Sequence, residues 1–420
     1  MKDDIEILDV NMDETDRTAN KAAKRVQYNK PKENPKRENP KKENSRKENS
    51  QRENSGNKKP KKENRALKII GRVLLCIVAF VAVTFAGAYM TLYTICHGPS
   101  KAARDLFVST ILETGQMKFL ASWYFSEDEI LAITDRNGMA KTDENVNPDL
   151  IEIPSQGEND DNPEFDIDGM ELVEISGRSF FAKMLIINDP SRVKLSTIYP
   201  WSDFDKNKYG ETLEQLVQRG DFAAGINGGE YYSEGNWGGI PKGLVVCDGV
   251  IQYNAPQAGD VMIGFTEDNI LMISDIGGMS AEQVQQFVAD NKIRDAVSFK
   301  DIDDGDNNHF TKLIINGTSR EISGSGSGAN PRTAIGQRAD GTVLMLVTDG
   351  RGAAGHLGAT AQDLISIMQE YGAVNAANLD GGSSSAMYYN GAYEMTSVTL
   401  YYSTSSWRLP TAFVVEKRGE

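Results

Sequence analysis

Hydrophobic and polar positions change their rhythm several times along these 420 residues. Up to residue 68 apolar side chains are sparse. Between residues 30 and 64, Glu33, Glu38, Glu43, Glu48 and Glu53 recur at a fixed interval in Glu-Asn-Pro/Ser units, with Lys and Arg between them. That interval fits neither a helix stripe nor a strand, so residues 1–68 read as a disordered tail. From Val73 to Cys96 no residue is charged, a run of 24. About 20 apolar residues cross a bilayer core, so residues 69–96 read as one membrane-spanning helix. Ala86-Gly87-Ala88 offers the competing reading of a signal-peptide cleavage site, against which the run is long and the tail before it far too long.

Helical spacing follows. Pro99 and Ser100 precede an apolar face of Ala103, Phe107, Ile111 and Leu112, which Gly115 ends. A second start lies at Ser126-Glu127-Asp128-Glu129, where a Ser cap and first-turn acids suit the helix dipole. Residues 97–142 form a helical neck on this reading, either a spacer packed on itself or a surface for a partner. Residues 143–170, acidic and rich in Asn, Pro and Gly, read as a linker.

From Glu171 the period shortens to that of strands. Short apolar runs bounded by turn residues cover 183–187, 193–197, 222–226, 244–247, 261–265, 270–273, 313–315, 343–347 and 411–415. Asp248-Gly249 and Asn316-Gly317 mark hairpin turns. Helices are predicted over 213–217 behind Thr212, over 281–289, and after Thr360. The last carries Asp363 at the capping-box position and Gly372 as its stop. Residues 171–420 are therefore expected to be an α+β domain with a mixed, sheet-rich core and few helices.

Charge adds an asymmetry that the net −15 conceals. Residues 1–68 hold 20 Lys and Arg against 13 Asp and Glu, leaving 25 against 47 of the chain's 45 and 60 for the rest. An acidic body argues against nucleic acid as a partner. The basic flank before residue 73 and the acids after residue 100 place the tail in the cytoplasm and the main domain outside. Attraction of the tail to anionic lipid is a second role beside that of a solvated spacer. Three cysteines, Cys76, Cys96 and Cys247, make neither a disulfide framework nor a zinc pattern. The run Asp301, Asp303, Asp304, Asp306, Asn307 lacks calcium-loop spacing and reads as a solvated insertion. No metal and no cofactor is expected. Oligomeric state is left open.

Chemistry concentrates between Asn330 and Gly391. Asn330-Pro331-Arg332-Thr333 opens the stretch. An apolar run then ends in Thr348-Asp349-Gly350-Arg351, and a later one in Asn378-Leu379-Asp380-Gly381-Gly382-Ser383. Each time a buried-strand pattern delivers a charged side chain, and glycine lets the backbone turn or approach a ligand. Upstream, Phe222–Ile226 delivers Asn227-Gly228-Gly229 in the same way. If the strands before Asp349 and Asp380 lie side by side, both carboxylates face one cleft. Taken singly, Asp349-Gly350 and Asp380-Gly381 also read as plain turns, Arg332 as a structural ion-pair partner and His356 as an ordinary loop histidine.

These blocks, with Gly238-Gly239-Ile240-Pro241-Lys242-Gly243, resemble the phosphodiester glycosidase family over roughly residues 171–415. The resemblance implies cleavage of a sugar 1-phosphodiester, in bacterial relatives linked to envelope exopolysaccharide. It implies Asp349 and Asp380 as the catalytic carboxylates. Arg332 and Arg351 would hold phosphate, Asn227 and Gly228 sugar hydroxyls, and Gly381, Gly382 and Ser383 would offer amides and a hydroxyl. A non-catalytic module binding envelope glycopolymer is the alternative. Glu230 stands where relatives commonly carry an aromatic, which leaves general acid and base unassigned.

Overall fold

The structure is a computed structural model that describes residues 65–114, 117–153, 169–201, 209–233, 237–303, 308–399 and 404–418. The tail 1–64, residues 154–168 of the linker and residues 304–307 of the acidic loop lie outside the described residues.

A helix spans Arg65–His97, and its Lys68–His97 portion is long and apolar enough to cross a membrane. The hydroxyls of Thr84, Thr91 and Thr94 donate to the carbonyls of Phe80, Gly87 and Met90, four residues back. That satisfies the hydroxyls of those three side chains within the helix itself.

The neck contains Lys101–Leu112, capped by the Ser100 hydroxyl, and Glu127–Asp135, opened by a capping box of Ser126 and Glu129. Between them Phe119–Tyr124 forms a short helix that no cap or period announces. Val108, Ile111, Leu112, Leu120, Ile130 and Ile133 bury against one another.

Three main sheets build the domain, and every ladder described is antiparallel. One sheet runs Met170–Ser176, Phe181–Ile187, Val343–Thr348, Thr333–Arg338, Ala373–Asn378, Lys312–Ile315, Thr318–Ser319. A second contains Asp260–Thr266 and Ile293–Lys300, and a third centres on Phe222–Asn227 beside Thr411–Glu416. The architecture is α+β, rich in sheet.

Val343–Thr348 reads as a continuous apolar run because both its faces are covered. Met345 and Val347 enter the core shared with the other sheets. Leu344 and Leu346 meet the helix Ala361–Glu370 through Leu364, Ile365, Ile367 and Met368. Truncating Leu364 to Ala would cost about 2–5 kcal/mol. That helix begins as expected, with Thr360 and Asp363 capping each other's backbone.

The strands that deliver Asp349 and Asp380 are not adjacent. Thr333–Arg338 lies between them, antiparallel to both. Both carboxyl-terminal ends therefore reach the same sheet edge, and Arg332, at the start of the middle strand, sits between them. Asp301, expected in a solvated loop, is instead gripped by Arg320 at 2.6 and 2.8 Å. Cys247 donates to the Leu195 carbonyl, and burial pushes its thiol up to about 12, which makes it inert at neutral pH.

Candidate active site

Asp380 ends its strand against a scaffold of hydrogen bonds. Its carbonyl accepts from the buried Asn227 amide at 2.7 Å, and Asn227 Oδ1 accepts from the Thr333 hydroxyl at 2.7 Å. Thus the strand Phe222–Asn227, from another sheet, fixes the backbone that carries the carboxyl. Its Oδ1 accepts from the Gly381 amide at 3.0 Å. Burial pushes the carboxyl up to about 7. The Ser384 hydroxyl opposes that rise and the negative charge of Glu230 adds to it, while the Gly381 amide and the Lys242 charge work against it.

Glu230 belongs to the same group. Its Oε1 accepts from Lys242 at 2.7 Å, and its Oε2 is buried with no hydrogen-bond partner among the described residues. The next residue, Tyr231, shares a 2.8 Å hydrogen bond with Ser384. Burial raises the Tyr231 phenol well above its usual value, with Asp380 adding to the rise, so it stays protonated.

Opposite lies Arg351. Its backbone adopts a positive φ of 53°, a conformation that costs a non-glycine residue about 1–3 kcal/mol. The side chain is solvent-exposed, donates to the Ser383 hydroxyl at 2.9 Å, and makes no ion pair among the described residues. Gly382 lets it lie there. Gly382 has φ 64°, and a Cβ on it would meet Arg351 Nη2 at 2.5 Å. An open guanidinium, a hydroxyl and a glycine-rich backbone beside a carboxyl that titrates near neutrality can hold an anion and move a proton in one place.

The family comparison falls on this ground. Residues 220–416 match the family model described as phosphodiester glycosidase. The match takes in just under half of the chain, and over those residues the chain is similar to that family. A stretch of 201 residues is 28% identical to the SPbeta prophage-derived uncharacterized protein YomE of Bacillus subtilis. It covers 47% of this chain and 29% of that protein, so the chain spans under a third of that relative's length. Among solved structures, the catalytic domain of zebrafish N-acetylglucosamine-1-phosphodiester alpha-N-acetylglucosaminidase is similar with a TM-score of 0.42 at 19% identity, covering 59% of this chain and 82% of that one. A putative exported protein of Burkholderia pseudomallei gives a TM-score of 0.37 at 15% identity, over 56% and 74%. Both are low-scoring likenesses of shape.

Within the matched residues 220–416 the expected site residues divide into two sets. Asp380, Gly381, Gly382, Ser383 and Arg351 come together, with Asn227 behind them. Asp349, Arg332 and Gly228 are placed differently. The Asp349 carboxylate accepts from the Phe181 amide at 2.7 Å and pairs with His356 Nδ1 at 2.6 Å, so both its oxygens are occupied within the protein. Arg332 is buried and paired with Glu113 of the neck. Its remaining contacts are Gly328 O, Ser327, Ala359 O and the face of Phe310 at 4.9 Å. Gly228 donates to Thr411 O at 3.1 Å and lies where a Cβ would strike the Thr411 side chain, so it serves packing between strands.

Lys242 lies inside a motif block, and Glu230, Tyr231 and Ser384 directly follow one, so their residue types are legible in the sequence and their grouping around Asp380 is not. Glu113 gave no signal. A Glu at the end of an amphipathic helix reads as an ordinary solvated charge.

Proposed function

We propose that this chain is a membrane-anchored glycosidase, with residues 69–96 in the bilayer and the main domain outside the cell. On this reading it hydrolyses or transfers a sugar 1-phosphodiester of an envelope glycopolymer. The observation that carries it is one Gly-Gly-Ser turn that has at its start the Asp380 carboxyl, which burial pushes up to about 7, and at its Ser383 hydroxyl the guanidinium of Arg351.

The chemistry follows from the leaving group. A phosphate monoester departs readily as an anion, so it gains more from a fixed positive charge than from a proton. Arg351, Ser383 and the Gly382 backbone supply that fixed charge and dipole. The proton that must be handled belongs to the attacking water or hydroxyl. Asp380, whose carboxyl burial pushes up to about 7, takes it. His356 and the Phe181 amide hold the Asp349 carboxylate, and with it the loop that aims Arg351.

The test is release of free reducing sugar from UDP-N-acetylglucosamine or polymer-linked phosphodiesters by the detergent-solubilised full chain. Binding of such compounds without release would support the non-catalytic glycopolymer module instead. Orientation is checked by protease added to intact cells, which should remove the main domain and spare the tail. Protection of the domain would sink the topology.

A further inference from the structure

The neck reaches the catalytic end of the sheet through the side chains of Glu113 and Thr110. Glu113 caps the carboxyl end of the helix Lys101–Leu112. Its carboxylate is buried, with the side chain 6% exposed. Oε1 accepts from the Gly328 amide at 2.7 Å, and Oε2 accepts from the Asn330 amide at 3.0 Å and from Arg332 Nη2. Beside it the Thr110 hydroxyl accepts from the Ala329 amide at 3.0 Å. Five successive residues of the domain, 328–332, thus take hold of, or bracket, two residues of the neck.

That segment carries both catalytic loops. Pro331 O accepts from the Gly382 amide at 2.8 Å, and Thr333 O accepts from Leu379 at 2.8 Å. The Thr333 hydroxyl completes the Asn227 link to Asp380. On the other side, Arg332 O accepts from Thr348 at 2.8 Å and Arg332 N donates to the Thr348 hydroxyl at 3.0 Å, one residue before Asp349. A shift of 328–332 therefore moves the Asp380 turn and the Arg351 loop at once.

We infer that Glu113 is a positioning residue of the glycosidase site: its carboxylate holds Asn330 and Arg332 so that the flanking Asp380 and Arg351 loops keep their working geometry. The inference rests on the reading of those loops as catalytic. It makes the membrane-proximal neck part of the enzyme, so that residues 171–420 alone lack one of its supports. The rival is that Glu113 stands in for a substrate anion on Arg332. The closed surroundings of Arg332 speak against it, because a phosphate could replace Glu113 only by unpacking the Thr110–Ala329 contact and leaving the buried Gly328 and Asn330 donors to re-pair.

The experiment compares the full chain in detergent with Glu113→Gln, Glu113→Asp and, as a control on the exposed neck surface, Glu127→Gln. Sugar release gives kcat and KM, and hydrogen exchange follows the amides of 378–384 and 222–227. Glu113→Gln should lower kcat about 10- to 100-fold, the penalty of a small misplacement of reacting groups, with a smaller change in KM. Exchange should quicken at 378–384 and not at 222–227. Glu113→Asp keeps the charge and should recover part of the loss, and it keeps the question open to measurement if the Gln variant does not fold. Glu127→Gln should match wild type. A kcat above wild type would mean the carboxylate occupies a substrate site and would overturn the inference, as would unchanged kcat together with unchanged exchange. If even wild type releases no sugar, the functional reading fails by itself. Exchange then decides the positioning role: faster exchange at 378–384 upholds it and unchanged exchange refutes it.

Discussion

The Asp349 loop and the Asp380 loop look alike in sequence: an apolar strand, an Asp-Gly step, then a residue able to bind an anion. In the folded chain they do different work. Asp349 has both oxygens engaged, by the Phe181 amide and by His356. Asp380 has one amide, a hydroxyl and a negative neighbour, and its carboxyl is pushed up to about 7. Local sequence sets the turn in both. What differs is the element placed opposite: a strand edge and a loop histidine for one, the Glu230–Lys242 pair for the other. A carboxylate with its lone pairs satisfied is a structural part, and one whose charge its surroundings oppose is available for chemistry.

The comparison breaks first, and most visibly, at Asp380. Asp380→Asn keeps the shape and removes proton transfer, so kcat should fall about 100- to 10,000-fold. Its effect on stability has the opposite sign. Because the folded pKa of Asp380 lies above the unfolded value, the folded state holds the proton more tightly. The contribution of Asp380 to stability is therefore fully present at low pH and is lost as pH rises between about 4 and about 7. Asp380→Asn should abolish that loss and leave the protein more stable than wild type at pH 8, by up to a few kcal/mol. Denaturant melts at pH 5 and pH 8 check it. A variant that is both active and unchanged in its pH dependence would remove Asp380 from the mechanism.

Arg351 comes next. Arg351→Lys keeps the charge but loses the planar fork and the reach to Ser383. KM should rise about tenfold with kcat less affected, and competition by inorganic phosphate should weaken in parallel. If phosphate competes equally well against the variant, the anion sits elsewhere.

Asp349→Asn should show the reverse profile of Asp380→Asn. It replaces one acceptor by a donor between the Phe181 amide and His356, so stability should drop by about 1–3 kcal/mol at neutral pH. Activity should fall only as far as the Arg351 loop loosens. Loss of all turnover with an unchanged melt would make Asp349 the reacting carboxylate and undo the division.

Much of this was legible from residues alone. The strand ends at Asn227, Asp349 and Asp380, the Thr360–Asp363 box and the sheet-rich domain all follow from patterns contained within a few residues. What the sequence hid is long-range. The strand Thr333–Arg338 sits between the two strands that deliver Asp349 and Asp380, because antiparallel hairpin pairing with Val343–Thr348 wins over side-by-side placement in the strand–helix–strand order. Arg332 could be a phosphate clamp or an ion-pair partner until a carboxylate more than two hundred positions earlier in the chain was seen against it. Glu230 could be exposed or inward on sequence alone, and Lys242 pairs with it in the fold.

The smallest effect sharpens the comparison most, because it reads the neighbour and not the carboxyl. The charged groups that bear on Asp380 are Glu230 and Lys242 from one side and Arg351 from the cleft, with the un-ionised Tyr231 phenol beside Ser384. Glu230 is the one that raises its pKa by charge. Glu230→Gln should therefore lower the pKa of Asp380, ionise it at lower pH, and move the rising limb of kcat/KM down by about half to one pH unit. The plateau above that limb should change little if Glu230 acts through charge alone. Lys242→Met should move the limb the other way, since Lys242 holds the pKa down. The same pair of substitutions made in an Asp349→Asn background should shift the limb equally, because the Asp349 carboxylate has its own partners. Should Glu230→Gln abolish turnover at every pH, Glu230 is itself a reacting carboxylate, and the site contains two.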